Sequence, residues 1–176
     1  MRLPHRLPLS LVRTAAALAL VAAPVQAQFL TAKVVSLEAA KKVAAAAEAE
    51  ALKQNWTVAI AVVDIGGNLI LFHRIDDVQV GSLDIAIAKA RTAARFKRPT
   101  RALNDAITKQ GNVALVAVSG IVPLAGGLPI IVDGKVIGAV GVSGMSSDQD
   151  EIVAQAGLDA LPAEGRQESS KVESKK

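Results

Sequence analysis

The dipeptide Asp133-Gly134, set between the apolar runs Pro129–Val132 and Lys135–Val142, constrains this chain more than any other feature. A two-residue Asp-Gly reversal supplies the positive φ angles of a tight hairpin, so the runs on either side must be antiparallel neighbours. Asp64-Ile65-Gly66-Gly67-Asn68 forms a second turn of this kind between Thr57–Val63 and Asn68–Arg74. Val113–Val118, again rich in β-branched residues, reads as a further strand.

Helical patterns fill the spaces. Ser36 stands as an N-cap before the Ala-dominated segment ending at Lys53, and Ser82 to Phe96 returns to helical spacing. Pro99-Thr100 opens a short helix ending near Gly111, and Ser146 or Ser147 caps a last one over Asp148–Leu161. The expected order is αββααβββα, a mixed α/β (α+β) domain whose central five-stranded antiparallel sheet is covered by helices. The many alanines of the first two helices call for tight helix packing or a close subunit contact.

The ends differ from the body. Residues 1–27 carry Arg2, Arg6 and Arg13, an apolar stretch Thr14–Ala23, and Val25-Gln26-Ala27 as a small-residue cleavage site. This is the pattern of a secretory signal peptide, too short in its apolar part for a stable membrane span, so a periplasmic or secreted protein cleaved after Ala27 is expected. Residues 28–161 then form one domain. Residues 162–176 are too polar to offset their ordering entropy and read as a solvated tail.

Composition excludes several chemistries. Cysteine is absent, which removes disulfides, thiolate nucleophiles and Cys-ligated metals. The chain has 20 basic and 16 acidic residues, but setting both ends aside leaves thirteen of each. A neutral body gives no footprint for nucleic acid. No phosphate-binding loop is present, Gly141-Val142-Ser143-Gly144 lacks the spacing of a serine nucleophile, and His73 is the single histidine after residue 27.

Polar residues in the body supply the candidate site. Lys89, Arg91, Arg95, Lys97, Arg98 and Arg101 fall within thirteen residues that contain no acid. Such a stretch suits a carboxylate or another anionic group, or else a solvated helix end favoured by the dipole. Lys89 and Thr92 share a helix face, with Asp64 or Asp76 as an alternative partner for Lys89. His73 and Arg74 end the second strand and point to opposite faces of the sheet. Asp64, Gly66, Gly67, Gly126 and Gly127 have a sufficient explanation in turn geometry.

Taken in order, Val62-Val63-Asp64-Ile65-Gly66-Gly67-Asn68-Leu69, Arg74-Ile75-Asp76, Ala88-Lys89-Ala90-Arg91-Thr92-Ala93, Gly126-Gly127-Leu128-Pro129, Ile137–Gly144 and Gln149-Asp150-Glu151 resemble the GlcG/HbpS-like family. That family includes the glycolate-utilisation protein G, the secreted haem-binding HbpS and the C-terminal domain of a propanediol-utilisation corrinoid adenosyltransferase. The resemblance spans residues 33–161. It implies a layered α/β domain and a homo-oligomer, often an octamer, with haem at subunit contacts in some members. The candidate site is drawn from Lys89, Thr92, Arg95, Arg98, Thr100, Gly126, Gly127, Arg74 and Asp76; the resemblance implies Thr92 or Thr100 as the iron ligand, with His73 as an alternative private to this chain. The first-helix histidine of the adenosyltransferase domain has no counterpart between Leu37 and Lys53, and Asp76-Asp77-Val78 replaces the usual Asp-Gly-Ala.

Three readings follow. The first is an exported oligomer that binds haem or a related tetrapyrrole, the bases of Lys89–Arg101 meeting its propionates. The second is an enzyme or accessory protein acting on a small carboxylate or hydroxy acid such as glycolate, with Asp64, Lys89 or His73 in acid–base roles. The third is a structural or sensory oligomer without a ligand.

Overall fold

The computed structural model describes residues 32–162; the expected signal peptide and all but the first residue of the polar tail lie outside the described residues. Four helices and four strands follow in the order α1 (Leu37–Lys53), β1 (Ala59–Asp64), β2 (Leu69–Arg74), α2 (Gly81–Phe96), α3 (Thr100–Thr108), a 3-10 turn (Val113–Ala117), β3 (Gly127–Val132), β4 (Lys135–Ser143) and α4 (Ser147–Asp159). The caps follow local chemistry. Ser36 Oγ accepts from Ala39 N at 3.1 Å, and Ser146 with Gln149 forms a reciprocal capping box at the start of α4.

The sheet has four strands rather than the expected five, in the order β2-β1-β4-β3, every pair antiparallel. Both hairpins form at the expected turns. The expected strand Val113–Val118 is instead the 3-10 turn, and none of its residues is buried. An apolar run without polar alternation does not distinguish strand from helix, and here the backbone of the segment after it is held by side chains rather than by a neighbouring strand.

The two faces of the sheet differ in side-chain size. Val58, Ile60, Val62, Val140 and Val142 pack with Val43, Ala47, Val153 and Leu158 of α1 and α4. Each such Val or Ile, fully buried, contributes roughly 1.5–3 kcal/mol. The opposite face offers Ala59, Ala61, Val63 and Ala139 to Ala86, Ala90 and Ala93 of α2, with Phe72 of β2 packed beside them. Gly141 completes this shallow face: a Cβ there would lie 2.2 Å from the Ala86 carbonyl oxygen. The helical alanines are thus explained within one subunit, by a helix seated almost on the sheet backbone.

Candidate functional site

The Lys-Ala-Arg-Thr stretch of α2 does several separate jobs. Lys89 passes the sheet to reach the start of α4, where its Nζ donates to Asp150 Oδ2 at 2.7 Å and to the Val142 carbonyl at 2.9 Å. Both side chains are 2% exposed. The expected partners Asp64 and Asp76 are replaced by Asp150, because α2 is centred on β4, between β1 and β3, and directs Lys89 toward the end of β4. Burial pushes the Asp150 carboxyl above its ordinary value, opposed by Lys89 and by the backbone N–H groups of Met145 and Gly144.

Gly126 and Gly127 close over this pair. Gly126 has φ +111, and a Cβ there would lie 2.8 Å from Asp150 Cβ and 3.1 Å from Lys89 Nζ. At Gly127 a Cβ would lie 2.5 Å from the Lys89 carbonyl oxygen. The glycine pair therefore serves close approach as well as turn geometry.

Thr92 and Thr100 are completely buried. Thr92 Oγ1 donates to the Ala88 carbonyl at 2.8 Å and accepts from Val122 N at 3.0 Å. Thr100 Oγ1 donates to the Leu124 carbonyl at 2.6 Å and accepts from Gly127 N at 3.0 Å. With Asn104, which donates to the Pro123 carbonyl, they clasp the segment between the 3-10 turn and β3. Their hydroxyls satisfy backbone groups that no strand supplies.

The bases at the end of α2 divide. Arg91 Nε donates to the Gly67 carbonyl and Arg95 Nε to the Gly66 carbonyl, both at 2.9 Å. Arg101 is paired with Glu151 and Asp148 of α4. Arg98 is exposed and bonds the Phe96 carbonyl, while Arg74 and Asp76 are exposed at the end of β2. Asp77 takes φ +63 where the resembled pattern has glycine, so the turn is kept in the left-handed conformation that Asp tolerates.

His73 stands apart from all of these. It pairs with Ile60 in the β1–β2 register, so its side chain shares the face covered by α1. There its Nδ1 lies 2.6 Å from Glu48 Oε2, and 33% of the side chain remains exposed. A carboxylate only accepts, so Nδ1 carries the proton that faces Glu48, and Nε2 is the ring nitrogen left for another partner. Among the described residues no three His, Asp or Glu side chains gather to hold a bare metal ion. One oriented imidazole does suit an iron that brings four macrocycle ligands of its own.

The model of the family described as Haem degrading protein HbpS-like matches residues 35–159. The chain belongs to this HbpS-like family. A 15.0 kDa uncharacterized protein from the dhaT-dhaS intergenic region of Citrobacter freundii is 45% identical over 130 residues, covering 72% of this chain and 92% of that protein. The crystal structure of HbpS is similar with a TM-score of 0.73 at 34% identity, covering 77% of this chain and 95% of HbpS. The crystal structure of a PduOC:heme complex has a TM-score of 0.69 at 27% identity, covering 77% of this chain and all of that one. The HbpS-like assignment agrees with the ordered motifs, the antiparallel sheet and the helical layers.

Within this HbpS-like domain two partners escaped the sequence reading, Glu48 and Asp150. Both contacts cross layers of the fold, between positions 25 and 61 residues apart, where no spacing rule operates. Alternation along β2 was the available signal for Glu48: it places His73 on the Ile60 face, where an Ala-rich helix had to pack.

Proposed function

We propose that this protein is exported, self-associates and binds haem or a related iron tetrapyrrole, with His73 as the ligand to the iron and Glu48 as the positioning residue. The observation that carries this reading is the 2.6 Å contact between His73 Nδ1 and Glu48 Oε2 on a partly exposed ring. A carboxylate behind a ligating imidazole fixes the tautomer and raises ligand basicity. Support also comes from similarity to HbpS and to PduOC, the latter solved with heme. Bound iron would supply redox and ligand-exchange chemistry, and His73, positioned by Glu48, would hold it.

Self-association has its own support. Val113, Val116, Val118 and Leu124 are exposed by 69, 70, 43 and 41% around the clasped segment. Large apolar side chains on an ordered segment whose backbone is satisfied mark an interaction surface. Export rests on the basic and apolar pattern of residues 1–27. The enzyme reading loses access to Lys89, which is enclosed, and Asp64 gives both oxygens to Asn68.

Haemin titration of the purified protein, followed by Soret absorbance and by size exclusion with mass detection, tests the reading. A saturable Soret shift travelling with a defined oligomer is expected; a monomer with an unchanged Soret band contradicts it.

A further inference from the structure

The arginines of α2 do not meet the same ligand as His73 within one subunit. Arg91 and Arg95 hold the β1–β2 turn, at the end of β1 nearest Asp64. His73 lies at the other end of the hairpin, opposite Ile60, and on the α1 face, whereas α2 packs on the opposite face. Six-residue strands rise roughly 20 Å, so the two places are separated by a strand length and by the sheet itself.

The arginine pair is organised in its own right. Each guanidinium is pinned through Nε to a turn carbonyl, which leaves the Nη groups without a hydrogen-bond acceptor among the described residues. No carboxylate among the described residues lies within ion-pair distance of Arg91, Arg95, Lys97 or Arg98. Asp64, the acid of this turn, is turned away: Asn68 takes both of its oxygens, and its carboxyl is held below the usual range by Asn68 and by the amides of Gly66 and Gly67, not by arginine. Gly67, at φ +85, admits both side chains, since a Cβ there would lie 2.9 Å from Arg95 Nε and 3.1 Å from Arg91 Cγ. A helix C-terminus favours bases in its last turn, which accounts for Arg95 but not for Arg91. Two adjacent like charges one turn apart oppose each other unless an anion lies between them.

We propose that Arg91 and Arg95, oriented by the Gly66 and Gly67 carbonyls, form a separate binding site for a small oxyanion of the carboxylate or phosphate type. The planar forks of two guanidiniums match the paired oxygens of such a group. This site is independent of the haem reading.

Calorimetric titration of the full chain with oxalate and with inorganic phosphate, at an ionic strength held constant with sodium chloride, tests it. Saturable binding of at least one probe is expected, and the one preferred identifies the source as carboxylate or phosphate. Affinity falls about tenfold or more in the Arg91→Gln, Arg95→Gln double variant, consistent with loss of charged hydrogen bonds, and stays unchanged in Lys97→Gln. Arg95→Lys keeps the charge without the fork and falls several-fold; circular dichroism of each variant checks that the turn is retained. Absence of saturable binding by either probe, or equal binding by the double variant, overturns the proposal. So does loss of haemin binding in the double variant, which would assign the arginines to the macrocycle's carboxylates.

Discussion

Lys89 on α2 and Asp150 on α4 are joined by a 2.7 Å ion pair that both residues make at 2% exposure, tying together the layers on opposite faces of the sheet. The pair is satisfied on every side: the Val142 carbonyl takes a second Lys89 proton, and Asp150 Oδ1 accepts from Met145 N at 3.0 Å. Removing one member strands a buried charge. Lys89→Met and Asp150→Leu are each expected to lower unfolding free energy by about 3–5 kcal/mol, and the double variant by less than their sum. Urea denaturation of the three variants checks this; additive losses contradict it.

Thr92 supplies a different kind of support. In Thr92→Val the Val122 N–H loses its acceptor in a buried setting, at a cost of about 1–3 kcal/mol. The haemin spectrum is expected to stay as in the parent, because the hydroxyl serves the backbone. A changed axial-ligand spectrum in a variant that remains folded would contradict that assignment.

How much of this was legible beforehand depends on the range of the interaction. Ser36, Ser146 and the Asp133-Gly134 turn act within four residues, and their helices and hairpin stand where the sequence puts them. Val113–Val118 misled because its β-branched run has strand propensity, while the tertiary structure offers it no partner strand and Thr92, Thr100 and Asn104 secure the adjoining backbone instead. The partner of Lys89 depends on which strands α2 covers, which no spacing rule gives. Thr92 and Thr100 enter through the resemblance, as possible iron ligands, and their place in the clasp depends on the segment 118–127 being in position.

Asp77 holds a left-handed backbone at φ +63. Asp77→Gly relieves that conformation, less the added chain entropy of glycine, and is expected to stabilise the protein by about 0.5–1 kcal/mol. Thermal unfolding reads the change directly, and a lowered Tm would contradict the account of this turn.

Acid sensitivity is expected at the β1–β2 hairpin. The Asp64 carboxyl is lowered chiefly by its hydrogen bond with the Asn68 side chain and then by the Asn68 backbone. A folded-state value below the unfolded one gives stability that is complete above the ordinary carboxylate range near about pH 4 and lost as pH falls through the folded value. Asp64→Asn should therefore flatten the acid limb of a stability–pH profile below about pH 4; an unaltered limb would contradict this role.

Electron paramagnetic resonance of the ferric haem complex tests most directly the proposal that an imidazole held by Glu48 is the iron ligand. The parent protein is expected to show an imidazole-ligated spectrum that His73→Ala abolishes, that added free imidazole restores, and that Glu48→Gln shifts while weakening haem affinity by roughly 10–100-fold. A haem complex whose spectrum is identical in parent and His73→Ala would contradict the assignment.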